Sequence, residues 1–169
     1  MSWWSELGRR LRGEPEPVPV PELPPAPTSE EILASVEDVR RRVAGRVPPA
    51  VQARVERIAR TVAEMVPRLD RPGLGSRQAH TVVATATSYL PEAVDAYLRL
   101  PRDFADRRVV ADGKTSLMLL VDQLDLLGAT IAKISDAVSR QDANALIAHG
   151  AFLEEKFRAS TLDNPPEAS

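Results

Sequence analysis

After residue 28, apolar residues recur at alternating spacings of three and four, the mark of helices that turn one face to a core. The first such segment aligns Ile32, Val36, Val39 and Val43. Thr28 or Ser29 supplies an N-cap, Glu30 and Glu31 suit the positive helix start, and Gly45 with Pro48 and Pro49 ends the segment. The second aligns Val51, Val55, Ile58, Val62, Met65 and Leu69 until Pro67, Pro72, Gly73 and Gly75 turn the chain. A third opens near Ser76 with the small face Ala79, Val82, Val83 and Ala86, and Pro91 then kinks it or starts a new helix over residues 90–100. The fourth begins near Asp112 or Thr115 and carries a heptad seam of Leu117, Leu120, Val121, Leu124, Leu127, Ile131, Ile134 and Val138. The last, after Asp142, uses Ala143, Leu146, Ile147, Gly150, Leu153 and Phe157. Only residues 108–111 suit a strand, and they are few.

Seams of this spacing favour helices crossing at about +20°. The expected fold is all-α: an up-and-down bundle of four to five long helices, preceded by a proline-rich disordered arm with a short N-terminal amphipathic helix. The same seams would also pair between subunits as a coiled coil, so a homodimer stands beside the single-chain bundle. Domain organisation reads as an amphipathic Trp/Arg tip over 1–13, a proline-rich linker over 14–28, the bundle over 29–160 and a disordered tail over 161–169.

Composition sharpens this picture. Residues 14–27 hold seven prolines, which excludes a helix and favours polyproline II, so the segment spans roughly 43 Å when extended. Aromatics make up only 4 %, so the core is built from Leu, Val, Ile and Ala. The chain has no cysteine, which removes disulfides, thiolate metal sites and a cysteine nucleophile together. No run approaches the roughly 18 to 20 apolar residues that cross a bilayer, and residues 1–30 lack a signal-peptide pattern. The expected location is cytoplasmic, with peripheral attachment at the inner face of the cell membrane as an addition.

Charge is unevenly spread. Between Arg40 and Arg77 ten arginines meet three acids, a local +7, so the overall −2 leaves −9 for the rest of the chain. The candidate basic face is Arg40, Arg41, Arg42, Arg54, Arg57 and Arg60. It suits pairing with the chain's own acidic helices first, an acidic protein or anionic lipid second, and nucleic acid least, because no aromatics are interleaved and no duplex-reading motif is present. The N-terminal tip holds both tryptophans and, as a helix, sets Trp4, Leu7 and Leu11 on one side. Trp3, Trp4, Leu7 and Leu11 are therefore the candidate contact residues for a protein partner, a membrane surface or the chain's own bundle.

Catalytic chemistry finds little foothold. Residues 112–116, Asp-Gly-Lys-Thr-Ser, resemble the end of a phosphate-binding loop, but the glycine required five positions before Gly113 is Arg108, so helix capping is the better account. His80 and His149 lie on different segments without a second ligand one turn away, Asp122 and Asp125 share a face, and no Glu-x-x-His pair or Gly-x-Ser-x-Gly elbow occurs. The expected metal and cofactor complement is none.

The stretch Tyr89-Leu90-Pro91-Glu92-Ala93-Val94-Asp95-Ala96-Tyr97-Leu98-Arg99-Leu100-Pro101, followed by Asp122-Gln123-Leu124, resembles a segment of bacterial helical proteins related to the bromochloroindolyl-phosphate hydrolysis family, over about a quarter of the chain. That resemblance implies a helical domain near a membrane-associated N-terminus and, nominally, a phosphatase. The matching residues include no nucleophile, metal ligand or phosphate cradle. Tyr89, Leu90, Tyr97 and Leu98 read as packing residues around Pro91. The expected function is a non-catalytic helical scaffold or adaptor that engages a protein partner or membrane through its tip. Its alternatives are a small phosphatase-like hydrolase drawing on Asp122, His80 and His149, and an arginine-mediated binder of anionic surfaces or nucleic acid.

Overall fold

In the computed structural model, which describes residues 25–71 and 74–163 with side chains to residue 158, the chain forms helices of very unequal length. Helix α1 is Ser29–Val43, α2 is Pro49–Met65, and a 3-10 turn, Val66–Arg68, follows directly. Helix α3, Ser76–Ala84, runs through a π-helical turn, Thr85–Tyr89, into α4, Leu90–Leu98, so that the three make one continuous rod. A short α5, Arg102–Arg107, and a hairpin of β1, Val109–Ala111, and β2, Lys114–Thr115, lead to α6, Ser116–Asp163. The architecture is thus mostly helical, as the periodicity predicts, with one tiny antiparallel hairpin.

Local chemistry explains the boundaries. Thr28 caps α1 reciprocally: its Oγ1 accepts from the Glu31 N–H at 3.2 Å, and its own N–H donates to Glu31 Oε2 at 2.7 Å. Gly45, at φ +66°, takes the left-handed turn after α1, and Pro49 opens α2 at a position where its missing N–H costs nothing. Asp112 and Gly113 both have positive φ, 47° and 75°, as a two-residue hairpin turn requires.

The rods close a ring. Helix α1 packs on α2 and on the rod of α3 and α4, and α6 packs on α2 and α4. Ser35 and Arg42 of α1 meet Ala86 and Asp95, so α1 runs parallel to that rod. Arg54 of α2 and Arg68 of the 3-10 turn that follows it meet Asp125 and Asp142, so α2 runs parallel to α6. The chain reverses from rod to rod, yet the third rod lies beside the first and diagonally across from the second. Every face residue named for α1 is buried, as are Val51, Val55, Ile58, Val62 and Met65 of α2, and they meet Val82, Ala86, Leu90, Val94, Leu120, Leu124, Ile131 and Val138 in one core.

The π turn has a specific cause. The Leu90 N–H donates to the Thr85 carbonyl, a five-residue reach, and Pro91 has no N–H. Both backbone donors that normally serve the Ala86 carbonyl are thereby unavailable to it. The Ser35 hydroxyl, reaching across from α1, donates to that carbonyl at 2.8 Å.

At the other end of the rod, Tyr97 is 5 % exposed and its hydroxyl donates to Asp106 Oδ1 of α5 at 2.7 Å. Burial, and then this bond to a carboxylate, push the hydroxyl up to about 12. The unfolded chain releases the same proton near about pH 10, so the stability it contributes is complete below that pH and is lost as pH rises through the folded value. An ultraviolet titration should show a tyrosinate step near about pH 12 that disappears in Tyr97→Phe; the same step surviving the substitution would contradict the assignment.

Candidate interaction surface

Helix α6 has 48 residues and so is about 72 Å long, whereas α2 beside it has 17 and spans about 25 Å. No proline or glycine interrupts α6 between Gly128 and Gly150, so nothing in the sequence stops the helix where the bundle ends. Val138 is the last buried residue among the described ones, and every residue from Ser139 to His149 is exposed. The segment expected as a separate last helix is therefore the second half of α6, projecting roughly 36 Å beyond the bundle. Its apolar face does not turn to the core: Leu146 is 72 % and Ile147 69 % exposed, Phe157 is exposed, and only Gly150 and Leu153 are partly covered.

The reason lies in the phase of the pattern. The seam that reaches the core, from Leu117 to Val138, would next call on positions 141 and 145, and these are Gln and Ala. Leu146 and Leu153 instead fall in phase with Ala132 and Ser139, two heptads and one heptad before Leu146 respectively. That line faces α2. Asp125 accepts from Arg54 Nε at 2.8 Å and from its Nη2 at 3.1 Å, a Cβ on Gly128 would meet Ile58 at 3.6 Å, and Ser139 accepts from Arg68 at 3.2 Å. The phase change is legible in the sequence; its meaning depends on α2 ending first.

The basic face is largely paired within the chain. Arg40 reaches Glu37 and Glu56, each at 2.8 Å, Arg41 reaches Asp38 at 3.3 Å, and Arg42 pairs with Asp38 at 2.9 Å and with Asp95. Arg54 and Arg57 both meet Asp125, the latter at 3.7 Å, while Arg60 is exposed on the same helix. The Glu56 hydrogen bond raises the pKa of Arg40, the Asp125 bond raises that of Arg54, and the Arg54 bond lowers that of Asp125. Such exposed pairs contribute little to stability because water screens them, so their effect is on register and on how much positive charge the surface presents.

The residues named for hydrolysis are not brought together. Asp122 lies near the start of α6, where Lys114 reaches it at 2.5 Å, and His149 lies 27 residues further along the same helix, about 40 Å away. His149 stacks on Phe152 at 6.4 Å between ring centroids. His80 belongs to α3, where it lines a groove of about 910 Å³ with Ile32, Leu69, Ala79 and Val83. Among the described residues no group of three His, Asp or Glu side chains is placed to hold a metal ion, and no helix is long and apolar enough to cross a membrane. The Asp-Gly-Lys-Thr-Ser segment is the hairpin turn and the start of α6, with Thr115 Oγ1 accepting from the Met118 N–H at 3.3 Å. Sequence reasoning passed over that hairpin, although an Asp-Gly pair after a Val-Val-Ala run is its usual signal.

The tip residues Trp3, Trp4, Leu7 and Leu11 lie outside the described residues. Comparison of the chain with family models, with curated proteins and with solved structures returns no match.

Proposed function

We propose that this protein is a non-catalytic helical adaptor: the bundle is a rigid base, and the work is binding. The supporting observation is the projecting half of α6, a helix with large apolar side chains held clear of the core at 56–72 % exposure. A protein that needed only to fold would gain nothing from it, because exposed apolar groups of this size are ordinarily buried or used for contact. The tryptophan tip, carried on the proline-rich segment, is the second binding element, for a protein groove or a membrane surface.

The test is photo-cross-linking of the full chain in cells, with benzoyl-phenylalanine in place of Ile147 in one variant and of Trp4 in another. Cross-links to protein or lipid from at least one position are expected. Silence from both, with the bundle folded, would remove the adaptor reading.

A further inference from the structure

We infer that the projecting half of α6 pairs with the same segment of a second copy in antiparallel orientation, each extension occupying the space beside its partner that α2 leaves vacant. This rests on the adaptor reading and names the occupant of one of its surfaces.

The first argument is continuity. Within the bundle one line of α6, marked by Asp125, Gly128 and Ser139, meets Arg54 and Ile58 of α2 and Arg68 of its 3-10 turn, and the same line continues into Leu146, Gly150 and Leu153. Helix α2 ends at Met65 and its 3-10 turn at Arg68, which reaches only as far along α6 as Asp142. Beyond that level, among the described residues, a helix-sized space flanks the apolar line.

The second argument is direction. A helix lying on this line parallel to α6 would run back into α2, and its own bundle would claim the space of the first. An antiparallel helix meets no such obstacle, since the two bundles then sit at opposite ends. Its tip would stop against the end of α2.

The third is fit. Full antiparallel overlap of residues 140–163 brings Leu153 of each chain to the level of Gly150 of the other, twice about a two-fold axis, and Leu146 to the level of Phe157. Seam positions then alternate as in an antiparallel coiled coil, with a small residue facing a large one. Gly150 supports this independently. It sits in mid-helix, where glycine costs roughly 0.5–1 kcal/mol relative to alanine, yet a Cβ there would meet nothing within 4 Å among the described residues. Close approach by another helix is a reason for its presence that the described residues of the single chain do not supply.

The fourth is area. Large apolar side chains along about 36 Å of helix, taken from both copies, bury on the order of 1,000 Å² in total, the lower edge of a specific interface. A reversible, concentration-dependent dimer follows, with closed two-fold symmetry.

Sedimentation equilibrium of the full chain should show the mass rising from 18.5 kDa toward twice that value as concentration rises from about 1 to about 200 μM. The Leu146→Glu/Leu153→Glu variant should stay monomeric with an unchanged bundle melt, and Gly150→Leu should weaken the dimer at least about tenfold while helix content holds or rises. The chain has no cysteine, so a spin label on Arg140→Cys is unique. It should report about 35 Å between copies, against about 10 Å for parallel pairing. A monomer at every concentration, a dimer untouched by the two glutamates, or the short distance would each overturn the inference. A dimer that survives the glutamates and is lost when the chain begins at Thr28 would assign pairing to the tip instead. A strictly monomeric chain whose Ile147 cross-linker still captures another protein would remove the dimer and leave the adaptor reading standing.

Discussion

Leu124→Ala is expected to destabilise the bundle by about 2–5 kcal/mol, while Leu146→Ala on the same helix changes it by no more than about 0.5 kcal/mol. The two leucines are chemically identical and share one continuous helix, but Leu124 is 0 % exposed in the core and Leu146 is 72 % exposed beyond it. Truncating the first removes transfer free energy and leaves a cavity among close-packed neighbours; truncating the second removes neither. Urea unfolding followed by far-ultraviolet circular dichroism, at submicromolar protein so that pairing between copies does not contribute, reads the difference directly. Equal losses for both variants would mean that the extension folds back on the bundle in solution.

The second large effect concerns the π turn. Ser35→Ala leaves the partly buried Ala86 carbonyl without its donor, which should cost about 1–3 kcal/mol although only one oxygen is removed. The penalty arises because the Leu90 N–H is committed to Thr85 and Pro91 has none to give. Pro91→Ala restores a backbone donor at that point, so it should relieve the loss. A double-mutant cycle is expected to show a favourable coupling of about 1 kcal/mol, measured by the same unfolding experiment. Additivity within about 0.3 kcal/mol would refute the link between the proline and the serine.

The first prediction rests on a contrast in how α6 and α2 end. An isolated helix must first form a nucleus, which is the costly step, whereas adding residues to a helix that already exists is not. Here the bundle has already nucleated the helix, and the extension, rich in Ala and Leu, only propagates it. Its sequence carries no stop signal before Asn164, so the helix outlasts the partners that would cover it. The same uncovered face is what the adaptor reading and the antiparallel pair both draw upon.

Local pattern was enough for much of the fold. The faces Ile32 to Val43 and Val51 to Met65 are buried as their spacing requires, the Thr28 cap forms, and the seam from Leu117 to Val138 reaches the core, because periodicity and capping act within one or two turns of helix. The arginines likewise announced themselves by composition, but which acids they meet depended on which helices became neighbours. That ordering, with the third rod beside the first, comes from packing between residues some fifty to seventy positions apart, as Ser35 with Ala86 and Arg54 with Asp125 show. The candidate surface divides the same way. Leu146, Gly150 and Leu153 were visible as an apolar face, and periodicity says that such a face seeks a partner; only the relative lengths of α2 and α6 decided that the partner is not the chain's own core.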